Sequence, residues 1–205
     1  MKVKVCGMKY WENIQEVIAL SPDYMGFIFH KESPRDISVL NLRYVVKNLP
    51  ETIKSVGVFV DSPLDFTKKM IEEYEFNLVQ LHGNEPPEYC RNLLSSELNI
   101  IKAFQLDDDF DFNVLEEYKS VCDYYLFDTK GKSKGGNGQM FNWDVLDKYT
   151  GEKPFFLSGG IDENAVDKIK KMSNPNLFGV DVNSKFEIEP GLKDSAKLKS
   201  FMLEL

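Results

Sequence analysis

Residues 54–81, KSVGVFVDSPLDFTKKMIEEYEFNLVQL, decide the fold of this chain because they contain one complete repeating unit. The β-branched and aromatic residues of Lys54–Val60 predict a strand, and those of Asn77–Leu81 predict a second one. Between these strands an apolar face recurs at helical spacing, formed by Phe66, Met70 and Tyr74. A strand, a helix and a strand in this order predict a βαβ unit with parallel strands.

The same alternation extends over the rest of the chain. Six further strands are predicted at Lys2–Val5, Tyr24–Phe29, Asn99–Phe104, Asp123–Phe127, Pro154–Leu157 and Phe178–Val182. Helical spacing recurs in three other stripes, formed by Val39, Leu42, Val46 and Leu49, by Val166, Ile169 and Met172, and by Leu198, Phe201 and Leu205. Eight βα units most simply close into an α/β fold of the (β/α)8 TIM-barrel type, and 205 residues are near the minimal length for it. We therefore expect one barrel domain over residues 1–205. An open doubly wound sheet is the alternative, but it needs a chain reversal that no segment marks.

Composition limits the possible partners and the location. Lys and Arg number 25 against 33 Asp and Glu, and the resulting net charge of −8 argues against a nucleic-acid groove or an anionic membrane surface. No apolar run approaches the ~18 residues of a membrane span, and the N-terminus alternates charge with valine, unlike a signal peptide. Cys6, Cys90 and Cys122 lack metal-type spacing and suit a reducing compartment. A soluble cytoplasmic protein is expected.

Two predicted strands end in side chains suited to proton transfer. The alternation along Lys2–Val5 points Lys4 and Cys6 into the barrel, with Cys6 at its mouth. Cys6 is a candidate base whose thiolate the Lys4 ammonium would favour, and a buried thiol without a chemical role is the alternative. Asp128 occupies the same position on the sixth strand. It is a candidate general acid with a pKa raised by partial burial, or else a loop residue that accepts backbone hydrogen bonds.

Anion-binding residues are predicted in other loops at the same end of the barrel. Arg35 follows Pro34 in the loop after the second strand, where its guanidinium could hold a carboxylate or simply lie on the surface. The turns after strands seven and eight, Ser158-Gly159-Gly160 and Asn183-Ser184, match the usual phosphate position of such barrels.

The remaining polar residues of the predicted interior give weaker indications. Gln80 and His82 point inward on strand four, where a histidine is more often structural than catalytic. His30 is the only other histidine, so no cluster of metal ligands is predicted. The glycine-rich residues 130–138 form a candidate lid after strand six, but they fit neither a dinucleotide nor a Walker motif.

Taken in order, these motifs resemble the phosphoribosylanthranilate isomerase family of tryptophan biosynthesis over nearly the whole chain. The matching residues are Lys4-Val5-Cys6-Gly7, Gly26-Phe27-Ile28-Phe29, Ser33-Pro34-Arg35, Val56-Gly57-Val58-Phe59-Val60, Val79-Gln80-Leu81-His82-Gly83, Phe127-Asp128-Thr129, Gly135-Gly136-Asn137-Gly138 with Phe141 and Trp143, Ser158-Gly159-Gly160-Ile161, Gly179-Val180-Asp181-Val182, Glu187, Pro190-Gly191 and Lys193-Asp194.

The resemblance implies a cofactor-free Amadori rearrangement of N-(5′-phosphoribosyl)anthranilate. It assigns general acid to Asp128, general base to Cys6, the substrate carboxylate to Arg35, and the phosphate to backbone amides around Gly159, Gly160 and Ser184. It also implies a small phosphorylated substrate, no metal and a monomer.

Departures from the family pattern are few. Lys185 replaces the glycine that is usual in the eighth-strand turn, where a positive φ would strain lysine and where its charge could instead help to hold the phosphate. Gln139 stands where a basic residue is common, and Asn142 replaces an aspartate. Two other functions remain open at this point. Indole-glycerol-phosphate synthase is disfavoured because catalytic lysines and an N-terminal extension are expected for it. A degenerate, non-enzymatic metabolite-binding barrel is disfavoured because Cys6 and Asp128 are both present.

Overall fold

Eight parallel strands close into a barrel in the computed structural model, which describes residues 1–95, 98–129 and 143–205. In chain order the strands are β1 Lys2–Val5, β2 Tyr24–Phe29, β3 Lys54–Phe59, β4 Leu78–Leu81, β5 Asn99–Leu106, β6 Tyr124–Thr129, β7 Phe155–Ser158 and β8 Leu177–Val182. Each strand pairs with its neighbours in sequence, and β1 also pairs with β8, with Val3 opposite Val180. The predicted (β/α)8 barrel is confirmed, and the open sheet is excluded.

Helical segments follow the strands and cover the outside of the barrel. The α-helices are α1 Trp11–Ile18, α2 Arg43–Lys47, α3 Leu64–Tyr74, α4 Pro87–Arg91, α5 Val166–Lys170 and α6 Ser195–Glu204. The segments after β5 and β6 are 3₁₀-helices at Phe112–Tyr118 and Trp143–Lys148, and shorter 3₁₀ turns occur at Glu163–Ala165 and Ser184–Phe186. A two-stranded hairpin, β9 Glu187–Glu189 and β10 Leu192–Lys193, lies between β8 and α6. None of the helices in the described ranges has the length and apolar composition that crossing a membrane requires.

One predicted helix is wrong at its N-terminal end. The stripe from Val39 to Leu49 predicted a helix that includes Val39, but α2 begins at Arg43 and Val39 is 86% exposed. Leu42 and Val46 are buried as expected. Apolar spacing alone does not show which residues meet the sheet, and Val39 lies in the turn before the helix.

The side chains of the strands separate into two apolar clusters according to the alternation of each strand. Val3 and Val5 pack outward against the helices, whereas Cys6 belongs to the inner cluster with residues such as Val58, Leu126 and Phe156. Lys4 also points inward and is fully buried. The backbone N–H of Cys6 donates to Val182 O over 2.9 Å, which extends the β1–β8 pairing by one residue and fixes the thiol at the end of the strand.

Candidate active site

A cavity of about 380 Å³ opens at the carboxyl ends of the strands. The polar residues that line it come from most of the barrel: Cys6, His30, Ser33, Gln80, His82, Asp128, Ser158, Gly159, Gly160, Asp181, Asn183, Ser184 and Lys185. Five of the six predicted site residues are therefore brought together. Arg35 is the exception, because it lies beside the cavity without lining it. Among the described residues, no group of three His, Cys, Asp or Glu side chains is placed to hold a metal ion.

Cys6 lies above a buried ion pair. Lys4 Nζ donates to Asp181 Oδ1 over 2.9 Å, and both side chains are almost fully excluded from solvent. A Cβ atom at Gly26 would lie 2.9 Å from Cys6 Sγ and 3.2 Å from Lys4 Nζ. The glycine of β2 therefore leaves the space in which the thiol and the ammonium lie close together.

Lys4 favours the Cys6 thiolate as expected, but it does not determine the net pKa of the thiol. Burial is the largest influence on Cys6 and raises its pKa, and the carboxylate of Asp181 acts in the same direction. Lys4 and Lys193 oppose this effect but do not outweigh it, so the pKa of Cys6 is raised rather than lowered. Burial also disfavours the Lys4 ammonium, yet attraction to Asp181 and Cys6 outweighs it and the pKa of Lys4 is raised. Cys6 is thus a neutral thiol at neutral pH in the free protein.

Asp128 contacts His82, the residue that follows β4, and His82 in turn contacts Gln80 of β4. His82 Nε2 lies 3.3 Å from Asp128 Oδ2, and Gln80 Nε2 lies 2.7 Å from His82 Nδ1. Gln80 is buried, whereas about a fifth to a quarter of the Asp128 and His82 side chains is exposed to the cavity. The sequence correctly predicted that Gln80 and His82 point inward, but it gave no sign of their contact with Asp128.

Arg35 is held by a carboxylate of the protein. Its Nε donates to Glu187 Oε1 over 2.8 Å, and its Nη2 donates to Glu187 Oε2. Lys193 Nζ also donates to Glu187 Oε1, over 2.6 Å. Burial opposes ionisation of Glu187, but the hydrogen bonds from Arg35 and Lys193 outweigh it and the pKa of Glu187 is lowered.

This ion pair limits how the Arg35 guanidinium can hold a substrate carboxylate. Two of the three nitrogens of Arg35 are engaged by Glu187, and only Nη1 has no hydrogen bond to a described residue. Arg35 Cδ would lie 2.7 Å from a Cβ atom at Gly7, so the guanidinium stem packs beside the turn that follows Cys6. Sequence reasoning did not assign Glu187 and Lys193 a role at Arg35, since both lie far from it in the chain.

The predicted phosphate turn contains two glycines in the left-handed conformation. Gly159 and Gly160 have φ values of +91° and +69°, which glycine adopts without strain. A Cβ atom at Gly160 would meet nothing within 4 Å, so this peptide faces the cavity without obstruction. Ser184 and Lys185 lie in the 3₁₀ turn after β8 and border the same cavity. Lys185 is absent from the positive-φ residues, so the expected strain at this position does not occur.

The glycine-rich segment 130–138, Gln139, Phe141 and Asn142 all lie outside the described residues.

Known proteins of one family are similar to this chain over nearly its whole length. The family model for N-(5′-phosphoribosyl)anthranilate isomerase matches residues 3–204. The chain is 41% identical to the N-(5′-phosphoribosyl)anthranilate isomerase of Parabacteroides distasonis, over 100% of this chain and 93% of that protein. The protein of the same name from Thermoanaerobacter sp. is 37% identical over 98% of this chain and 96% of its own length.

Solved structures of the same family superpose closely. The crystal structure of phosphoribosyl anthranilate isomerase from Thermotoga maritima has a TM-score of 0.85 and 31% identity, covering 100% of this chain and 98% of that one. A second structure of such an isomerase, in complex with reduced 1-(o-carboxyphenylamino)-1-deoxyribulose 5-phosphate, has a TM-score of 0.85 and 30% identity, covering 100% of this chain and 97% of that one. This chain therefore belongs to the N-(5′-phosphoribosyl)anthranilate isomerase family.

Proposed function

We propose that this chain catalyses the Amadori rearrangement of N-(5′-phosphoribosyl)anthranilate to 1-(2-carboxyphenylamino)-1-deoxyribulose 5-phosphate in tryptophan biosynthesis. One observation carries the proposal. In a chain of this family, a thiol and a carboxyl face one cavity from Cys6 and Asp128, at the ends of β1 and β6, with β7 and β8 between them. A substrate held in the cavity meets these two groups from different sides.

The first step opens the sugar ring. Asp128 gives its proton to the furanose ring oxygen as the bond between that oxygen and C1′ breaks, and the oxygen keeps the electron pair of the bond. The lone pair of the anthranilate nitrogen forms a double bond to C1′, which gives a positively charged Schiff base. Asp128 is left as a carboxylate.

The second step moves hydrogen away from C2′. Cys6, as a thiolate, takes the C2′ proton, and the electron pair of that bond forms a double bond between C1′ and C2′ while the nitrogen regains its lone pair. The resulting enolamine becomes the ketone when C1′ accepts a proton and the C2′ hydroxyl loses one. Protons and electrons balance without an oxidant or a reductant.

The raised pKa of Cys6 fits this order of events. In the free protein burial disfavours the thiolate. Ring opening then creates a positive charge on the nitrogen, one bond from C1′ and two from C2′. A nearby cation favours a thiolate. Cys6 therefore releases its thiol proton to solvent and becomes a base when the Schiff base is present, and it stays a neutral thiol in the empty site.

Substrate binding uses groups on both sides of the acid–base pair. The backbone amides around Gly159, Gly160 and Ser184 receive the phosphate, because all three residues line the cavity and the two glycines have the left-handed φ of anion-binding turns. Arg35 receives the anthranilate carboxylate through Nη1, while Glu187 fixes the other edge of the guanidinium.

Location and assembly are part of the same proposal. All three cysteines are free and buried, as suits a reducing cytoplasm. We infer a monomer because the large exposed apolar side chains of the described residues, such as Tyr44 and Leu203, are scattered along the sequence, with Tyr10 and Trp11 as the one adjacent pair. A Thermotoga maritima relative is described as dimeric, so sedimentation of the purified protein is the decisive test.

The activity is tested by fluorescence. Freshly generated N-(5′-phosphoribosyl)anthranilate should lose its anthranilate fluorescence when purified protein is added in buffer with a metal chelator and no nucleotide. A fluorescence decay no faster than that without protein would overturn the proposed function.

A further inference from the structure

We propose that His82 is a positioning residue that holds the Asp128 carboxyl through an Nε2–H donor, and that Gln80 fixes the tautomer of His82 that makes this possible. The inference rests on the proposed role of Asp128 as the general acid. It is carried by the chain of contacts Gln80–His82–Asp128, with heavy-atom separations of 2.7 Å and 3.3 Å.

A neutral imidazole has one nitrogen that donates and one that accepts. Gln80 lies against Nδ1 with its amide nitrogen, which can only donate, so Nδ1 must be the acceptor. The ring hydrogen is then on Nε2 and points to Asp128 Oδ2. No other titratable side chain that lines the cavity, among them Cys6, His30, Asp181 and Lys185, has a hydrogen bond to His82 within the described residues.

The opposite orientation of the Gln80 amide is less favourable. Gln80 is 1% exposed, and its Oε1 has no hydrogen-bond partner among the described residues. Exchanging the oxygen and nitrogen would leave two buried N–H groups of Gln80 without a partner among the described residues, in place of one N–H group and one oxygen, and buried N–H groups without partners are rarer than under-satisfied oxygens. The amide therefore presents its nitrogen to His82.

This tautomer suits a carboxyl that must change its protonation state. Asp128 Oδ2 accepts from Nε2–H whether the carboxyl is protonated on Oδ1 or ionised. The carboxyl thus keeps one orientation before and after it gives its proton to the sugar. In the other tautomer Nε2 would accept, and it would draw the proton of Asp128 toward the imidazole and away from the substrate.

The tautomer is tested without substrate. The chain has two histidines, so ¹⁵N NMR of the imidazoles gives two spin systems, and the one lost in His82→Gln belongs to His82. We expect a neutral ring with hydrogen on Nε2. Gln80→Glu presents a carboxylate to Nδ1 and should move the hydrogen to Nδ1 or give a doubly protonated ring. Hydrogen on Nδ1 in the unsubstituted protein would overturn the proposal, and so would a ring unchanged by Gln80→Glu.

The positioning role is tested by kinetics. His82→Ala should lower kcat by about tenfold to a hundredfold, the range for loss of one hydrogen bond to a charged group, with KM changed by less than about twofold. His82→Gln keeps an amide donor, so its kcat should be at least about fivefold higher than that of His82→Ala. Equal kcat values for His82→Ala and the unsubstituted protein would contradict the role. A higher KM with an unchanged kcat in His82→Ala would also contradict it, and so would equal kcat values for His82→Ala and His82→Gln.

The proposal and the proposed function fail in different ways. An inactive but folded protein with hydrogen on Nε2 of His82 would overturn the function and leave the contact with Asp128 in place. An active protein with hydrogen on Nδ1 would do the reverse.

Discussion

Arg35 and Glu187, 152 residues apart in the chain, form an ion pair that joins the loop after β2 to the hairpin after β8. The Glu187 side chain is 4% exposed, and it receives a second cation from Lys193. One buried carboxylate therefore lies between a buried lysine and a partly exposed arginine, and it orients the guanidinium that we propose to hold the substrate. If Arg35 holds the substrate as proposed, stability and substrate binding depend on the same side chain.

Replacing Glu187 should affect both properties. Glu187→Gln leaves Arg35 and Lys193 without their shared carboxylate, and loss of one partner of a buried pair costs about 3–5 kcal/mol in the free energy of unfolding. KM for the substrate should also rise, because Arg35 loses its fixed orientation. Urea unfolding and steady-state kinetics measure the two effects. The exposed Glu189→Gln on the same hairpin is the matched control, and equal unfolding curves for the two variants would contradict the account.

The stabilisation that Glu187 gives to the folded state should decrease at low pH. Folding lowers the pKa of Glu187 below its usual 4.5, so its carboxylate stabilises the folded state above that pH. This contribution is lost as pH falls through the lowered pKa. The difference in unfolding free energy between the unsubstituted protein and Glu187→Gln should be constant near neutral pH and should shrink below about 4.5. A difference that grows on acidification would contradict the assignment.

Alkylation tests the state of Cys6 in the empty site. Burial raises the pKa of the thiol above its usual 9.0, so the rate of its reaction with iodoacetamide should still be increasing at pH 9. Peptide mapping by mass spectrometry separates Cys6 from Cys90 and Cys122. A rate that levels off by pH 8 would show that Lys4 and Lys193 outweigh burial.

Gly26 should be required for the position of the thiol. In Gly26→Ala the added Cβ would lie 2.9 Å from Cys6 Sγ and 3.2 Å from Cys6 Cα, so the thiol and the end of β1 must move. We expect kcat to fall by at least about tenfold, since displacing a reacting group by about 1 Å has large effects on rate. The free energies of unfolding of Gly26→Ala, Cys6→Ala and the double variant should not be additive, because the two substitutions affect the same contact. Additive effects on stability, with kcat unchanged in Gly26→Ala, would refute the steric argument.

Lys185 should contribute to phosphate binding. It is exposed at the cavity rim beside Ser184 and forms no ion pair with a described residue. Lys185→Gln should raise KM by about twofold to fivefold, the range for one solvent-exposed charge pair, and should weaken competitive inhibition by inorganic phosphate. Lys199→Gln on α6 is the control for a general change of charge. Equal KM values in both variants at low salt would mean that Lys185 does not meet the phosphate.

The strands could be predicted from the sequence because their signals are local. All eight agree with the structure within two residues at each end, since short β-branched and aromatic runs are read from neighbouring residues alone. The helix expected to include Val39 shows the limit of this approach. Spacing predicted an apolar face there, but only tertiary packing decides which apolar residues are covered.

The candidate site also has a part that could be predicted from the sequence and a part that could not. Cys6, Asp128, Gly159, Gly160 and Ser184 could be located because each follows or ends a strand at the carboxyl side of a predicted barrel. The partners of Arg35 could not, since pairing with Glu187 depends on two distant loops meeting. The direction of the Cys6 pKa shift could not be predicted either. The sequence shows the neighbouring lysine, which lowers the pKa, but not the extent of burial, which raises it.

The central claim is that Cys6 and Asp128 form the acid–base pair of the isomerase. Its most direct test is the kcat for N-(5′-phosphoribosyl)anthranilate in Asp128→Asn and Cys6→Ser, measured by loss of anthranilate fluorescence on folded protein. Each variant should lose about 10²–10⁴-fold in kcat, the usual contribution of general acid or base catalysis. A kcat within about tenfold of the unsubstituted protein in either variant would contradict the account.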